Sequence, residues 1–218
     1  MVLRLLFVLA LIAGAIEATA QSSAAEFFDI GYSYQTGEGV ERDEKRALTY
    51  YAEALSENPD LFAPLYNTGL IYHDQGEYTR AQNYFIKAAK ASSSLGDDAA
   101  QYEAMARNGL GTCYQQQGNY ENAEKQFDIA RRMQSDFVEA HYNYINILVR
   151  DERLEEATAA LKMAESMAPS DRYEKFKGLL LAKQKKEHMG SMGGAGGLLV
   201  FILLVLAYGM YLRRAKRR

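Results

Sequence analysis

Tryptophan is absent from the 218 residues, and there is a single cysteine, three prolines and three histidines. One cysteine, Cys113, excludes an intrachain disulfide and a cysteine-based zinc site. His73, His141 and His188 are scattered, and no two stand at metal-ligand spacing. No nucleophile elbow, no His-Glu-x-x-His pair and no phosphate loop occurs. Gly37-Glu38-Gly39 follows a helical pattern rather than a strand, which removes the context a nucleotide loop needs. The residue types for catalysis, a cofactor or a metal are therefore missing, and the chain reads as non-enzymatic. N-x-Ser/Thr glycosylation sites are also lacking. Positive charge is scarce in the body of the chain. Between residues 21 and 212 there are 19 bases against 27 acids, a field that repels nucleic acid.

What is present is alanine, glutamate and tyrosine arranged with a helical period. From Gln101 to Gln134 two amphipathic stretches flank a turn at Gly118. Leu110, Gly111 and Tyr114 share one face of the first. Ala123, Phe127 and Ala130 share one face of the second, at spacings of four and three. A hairpin this small cannot bury its own apolar stripe and needs copies of itself. The copies are there. Gly69, Tyr72, Gly76, Tyr78, Ala81, Phe85 and Ala88 repeat the pattern upstream. Leu148, Leu154, Ala157, Leu161, Ala164 and Pro169 repeat it more loosely downstream. Gly31, Tyr34, Ala47, Tyr51, Ala54 and Pro59 make a first copy.

This pattern resembles the tetratricopeptide repeat (TPR) family, over roughly residues 24–169. The first copy is more similar to the related Sel1-like repeat, with four extra residues between Tyr34 and Ala47 and a Gly-x-Gly-Val loop. The resemblance implies an all-α, right-handed helix–turn–helix solenoid, with units at about 24–59, 62–95, 98–135 and 136–169. Ile145 and Glu152 depart from it, standing where glycines are expected. Ser92–Ala100 absorbs extra residues between the second and third units as a longer turn. Eight helices are expected over 24–36, 43–57, 61–75, 78–93, 98–117, 120–133, 136–150 and 154–167. A ninth, capped by Ser170 and Asp171, would close the solenoid within 170–188.

Both ends of the chain carry membrane signals. Residues 1–20 hold one arginine, an apolar run and the small-x-small site Ala18-Thr19-Ala20, the pattern of a signal peptide cleaved before Gln21. The run is shorter than the roughly 20 residues a span requires. A glycine-rich linker over 189–194 leads to an uncharged apolar segment, 195–212, expected to cross the bilayer once as a transmembrane helix. Five bases in 213–218 form a tail expected to stay in the cytoplasm. The topology expected is single-pass type I, with the repeats outside the cytoplasm.

The same resemblance implies that the first helix of each pair lines a concave groove. Its inward positions, carried over by register, are Phe28 and Tyr32, then Tyr66, Leu70 and His73. Asn108, Thr112 and Gln115 follow in the third unit, and Tyr142, Asn146 and Arg150 in the fourth. Tyrosine and amide side chains offer contact area and hydrogen bonds at modest entropic cost, which suits a peptide or protein partner better than a metabolite. The lysines of a C-terminal carboxylate clamp are absent. The function expected is a non-catalytic scaffold that helps assemble an envelope complex, at a bacterial inner membrane with the repeats in the periplasm. The alternative is a lumenal Sel1/TPR-type adaptor at the endoplasmic-reticulum membrane.

Overall fold

The computed structural model describes residues 23–186. The expected signal peptide, the linker, the span at 195–212 and the basic tail lie outside the described residues. Among those described, no helix is long and apolar enough to cross a membrane, and no strand occurs.

Among the described residues nine α-helices follow one another: α1 (23–36), α2 (Glu44–Glu57), α3 (Phe62–Asp74), α4 (Tyr78–Ala91), α5 (Ala99–Gln116), α6 (Tyr120–Met133), α7 (Val138–Arg150), α8 (Leu154–Met167) and α9 (174–186). Two 3₁₀ turns, Ser92–Ser94 and Gly96–Asp98, take up the extra residues after α4. A third, Asp171–Tyr173, precedes α9, so the last helix starts two residues later than its caps suggest. There the Ser170 hydroxyl accepts from the Arg172 amide at 3.3 Å, too early in the chain for an α-helical first turn.

Each helix pair turns in the same way. In the later three pairs the second residue after the first helix is left-handed: Gly76 at φ 77°, Gly118 at φ 75° and Glu152 at φ 57°. The following amide then donates back five residues, Glu77 to Tyr72, Asn119 to Tyr114 and Arg153 to Leu148, at 2.8–2.9 Å. Glu152 is the one described non-glycine residue in this conformation, where L-residues are disfavoured by roughly 1–2 kcal/mol. In the first pair the same closing bond forms, Asp43 amide to Tyr34 carbonyl at 2.9 Å, although four extra residues intervene. The insertion bulges out through Gly37 and Gly39, both left-handed, and leaves the turn's anchor intact.

The core is built by fitting the second helix of each pair into a notch on the first. Tyr51 lies over Gly31, Phe85 over Gly69, and Phe127 over Gly111, with all three rings buried. A Cβ on Gly111 would stand 2.6 Å from the Phe127 ring, so the close approach requires glycine. Phe85 also packs on Gly109 of the next pair, where a Cβ would come within 2.7 Å, and so joins two repeats. The fourth pair replaces both partners. Ile145 stands at the glycine position and Leu161 at the aromatic one, and the two are buried in one cluster. A larger side chain on one helix is matched by a smaller one on the other. Alanines at Ala47, Ala81, Ala123 and Ala157 let the helices of each pair approach closely, and none is exposed.

Successive repeats are joined in the same direction. α4 packs on α5 and α6 on α7, and the first helices touch one another, α3 with α5 and α5 with α7. The first helices thus form one layer and the second helices another. The turn edge is clamped as well. Gln75 donates to Glu44 at 3.1 Å, Gln117 to Thr79 at 3.3 Å, and Arg153 to both Glu124 oxygens at 2.8 Å. At the far end Tyr173, Phe176 and Leu180 cover Ile145, Leu148 and Leu161, giving the last repeat the neighbour it would otherwise lack.

Two outcomes are expected. Gly111→Ile alone should cost about 3 kcal/mol or more by overpacking, and Phe127→Leu alone about 1–2 kcal/mol by leaving a void. The double variant imports the pairing of the fourth repeat, and its cost in urea unfolding should fall short of the sum by at least about 1 kcal/mol. Additive costs would show that the notch does not couple these residues. Secondly, burial pushes the Cys113 thiol and the Tyr51 hydroxyl up to about 12. A raised acid holds its proton in the folded state while the unfolded chain loses it, so stability must fall as pH rises. The fall should begin near pH 8.5, where unfolded cysteine ionises, at up to ~1.4 kcal/mol per pH unit for each group, and level off above about pH 12. Cys113→Ala should remove the part between about pH 8.5 and 10 in pH-dependent urea melts.

Candidate partner-binding groove

The inner layer places the residues expected in the groove on four helices, and their environments differ. On α1, Tyr32 is 44% exposed, while Phe28 is half-buried and stacks on Tyr51 at 5.8 Å. On α3, Tyr66 is wedged between Phe62 at 5.4 Å and Phe85 at 5.5 Å, and burial raises its hydroxyl pKa. Leu70 lies half-buried against the cluster of Phe85 and Leu110. The His73 ring stands edge-on to Tyr78 at 5.6 Å, with Nδ1 3.3 Å from Asp74. Its Nε2 is buried and unpartnered.

On α5 the Thr112 hydroxyl donates to the Gly109 carbonyl at 2.7 Å, and Asn108 Oδ1 accepts from Asn143 Nδ2 at 3.0 Å. Asn108 keeps its own amide donors free, and half-buried Gln115 makes no hydrogen bond to any described residue. On α7, Tyr142 is taken up by the closing helix. It packs on Phe176 at 4.8 Å, with the Arg172 guanidinium 5.0 Å above its ring. Arg150 turns away to lie over Tyr120 at 3.2 Å and pairs with Asp151. Asn146 is half-buried, and its side-chain carbonyl and amino groups make no hydrogen bond to any described residue.

Two residues that sequence reasoning missed connect the inner helices. Asn67 Nδ2 donates to the Tyr51 hydroxyl at 3.3 Å, and that hydroxyl donates to Gln35 Oε1 at 2.5 Å. Asn143 makes the corresponding bridge to Asn108. Asn67 and Asn143 share one register position, two residues before Gly69 and Ile145. A short polar residue recurring there on an otherwise apolar helix was the available signal.

The surface that results is a line of amides and hydroxyls flanked by aromatic rings. It can donate and accept hydrogen bonds along an extended chain and pack its side chains. Its charges are mostly spent internally, as with Glu139 and Arg172 at 2.6 Å. Among the described residues, no group of three or more histidine, cysteine or acidic side chains is placed to hold a metal ion.

Two family models described as tetratricopeptide repeat match residues 60–136 and 108–172. A curated relative, the probable UDP-N-acetylglucosamine–peptide N-acetylglucosaminyltransferase SPINDLY of Hordeum vulgare, is 29% identical over 99 residues. The match covers 45% of this chain but 10% of the relative, so the chain spans about a tenth of that protein's length. Among solved structures, yeast Tom70 superposes with a TM-score of 0.60 at 14% identity, over 78% of this chain and 34% of that one. Pseudomonas aeruginosa PilF does so with a TM-score of 0.58 at 17% identity, over 78% and 79%. At such identities these two show the fold alone. The glycine–aromatic notch, the left-handed turn and the stacked helix pairs agree with the two family matches, which together run over just over half of the residues. The chain belongs to the tetratricopeptide repeat family.

Proposed function

We propose that this protein is a membrane-tethered scaffold whose repeats stand on the extracytoplasmic side and hold a peptide or protein partner in the groove. A tetratricopeptide repeat array is typically a non-catalytic interaction module. The observation that carries the groove reading is the set of unspent amides. Asn108, Gln115 and Asn146 lie half-buried on adjacent inner helices with hydrogen-bonding groups that no described residue uses. A half-buried amide gains most from a partner that completes its bonds, because the site is already partly desolvated. The main chain of an extended peptide offers alternating donors and acceptors that match such a line.

Tethering rests on the sequence: the exported leader, the uncharged segment 195–212 and the basic end 213–218. A bacterial inner membrane with the repeats in the periplasm fits the missing glycosylation sites.

Two measurements test the proposal. A reporter active only outside the cytoplasm should work when fused before Gly190 and be silent when fused after Arg218; the opposite pattern would end the tether reading. For the groove, Tyr66 and Tyr142 are poor probes, since truncating either would disturb packing. Tyr32→Ala, Asn108→Ala and Asn146→Ala together should keep the helical signal and the membrane location. Retention of the co-purifying partner should nevertheless drop at least about tenfold, since contact energy concentrates in a few anchors. Lys125→Ala with Lys162→Ala, on the outer layer, should retain it. Loss in the outer-layer variant with retention in the groove variant would place the partner elsewhere.

A further inference from the structure

The outer layer is not uniform. Between α2 and α4, over α3, lies a cleft of about 570 Å³. Its apolar lining comes from Leu55, Pro59, Leu65 and Tyr84, and Ala52 and Ser56 contribute only short side chains. Lys87 and Lys90 stand on the α4 wall, and neither pairs with a carboxylate of any described residue. Lys87 Nζ lies 5.5 Å from the centre of the Tyr84 ring. Asp60 is the only acid in the lining, against two lysines.

The same register in the later repeats is filled. Leu65 corresponds to Arg107 and Tyr84 to Gln126. There Arg107 donates to Glu103 at 2.7 Å and to Gln126 at 3.3 Å, and so spans the space from within. In the last repeat the position is His141, buried, with Nε2 2.9 Å from the Ser135 carbonyl. Facing it on the preceding second helix, Arg131 and Arg132 pair with Asp128 in place of the short Leu55 and Ser56. The first junction alone combines an aliphatic floor with a short-chain wall, so the opening follows from local residue choice rather than from the solenoid's shape.

We propose that this cleft is a second docking site, for an acidic peptide segment of a partner that inserts one large apolar side chain. The floor removes that side chain from water, and a volume of this size accommodates it together with neighbouring backbone. Carboxylates on either side of the anchor meet Lys87 and Lys90, two positive charges without a carboxylate partner among the described residues, on a body with an excess of acids. The site is independent of the inner groove and faces the opposite layer. One partner can therefore occupy each.

The probe is a fluorescein-labelled peptide, Glu-Asp-Phe-Glu-Asp, titrated against the full-length protein in detergent micelles and followed by anisotropy. Saturable binding is expected, weakened at least about tenfold when alanine replaces the peptide's phenylalanine and when Lys87→Glu and Lys90→Glu are combined. Raising NaCl from about 0.05 to 0.5 M should weaken it further, as exposed charges are screened. Leu65→Arg copies the next repeat and should abolish binding. Ala52→Tyr fills the cleft from an exposed position and should do the same even if the buried change disturbs folding. Asn108→Ala with Asn146→Ala should leave binding unchanged, which separates this site from the groove. No saturable binding by the wild type up to about 1 mM, a range in which even weak complexes are detected, would overturn the proposal. Equal affinity for the alanine peptide, or indifference to Ala52→Tyr, would overturn it as well.

Discussion

The close seating of one ring against one glycine is the contact on which the rest of this structure depends. Tyr51 on Gly31, Phe85 on Gly69 and Phe127 on Gly111 each bring two helices together closely, with the flanking alanines Ala47, Ala81 and Ala123 wholly buried. Burying such a ring contributes about 2–3 kcal/mol, and overpacking or emptying the notch removes a comparable amount. Because Phe85 also meets Gly109, the notch within one repeat and the seam between repeats are partly the same contact. The array is therefore cooperative between neighbours, as expected of a solenoid in which each unit touches only the next. The fourth repeat reaches a similar fit with Ile145 and Leu161, which shows that shape matching rather than aromaticity is the requirement.

That constraint separates two kinds of polar interaction. On the turn edge, ion pairs such as Arg153 with Glu124 and Glu156 are partly exposed and contribute at most about 1 kcal/mol each. On the inner layer, the bonds from Gln35 through Tyr51 to Asn67, and from Asn143 to Asn108, are half-buried and hold the helices that carry the groove. They leave some amide capacity unspent on the same surface. The outer cleft differs in kind. Its floor is aliphatic, its rim is cationic, and it exists because Leu65 does not reach across as Arg107 does.

The repeat spacing, the helix pairs and the final cap were legible in the sequence because their signals are local. Gly76 and Gly118 mark turns through backbone freedom, and Ala123, Phe127 and Ala130 mark a buried stripe through period alone. The four-residue insertion was visible as a count, and its consequence was a loop that preserved the closing bond from Asp43. Helix ends shifted by one or two residues, with 3₁₀ turns taking up the difference at Ser92–Ser94 and Asp171–Tyr173.

By itself the sequence determined that this protein is a stack of helix pairs with an apolar seam, since period, glycine position and small-residue spacing act within one turn of helix. Only the tertiary structure decided which inward residues are open. Tyr66 and Tyr142 occupy the same register as Asn108, yet Phe62, Phe85 and Phe176 from other turns of the chain close around the two rings. Arg150 is drawn onto Tyr120 of the preceding repeat, thirty residues away. Such contacts depend on the size of side chains that meet only when repeats stack, and no periodicity along one helix encodes them. The cleft beneath Lys87 and Lys90 is of the same origin: Leu65, Ala52 and Ser56 are ordinary residues singly, and they make an opening only in combination.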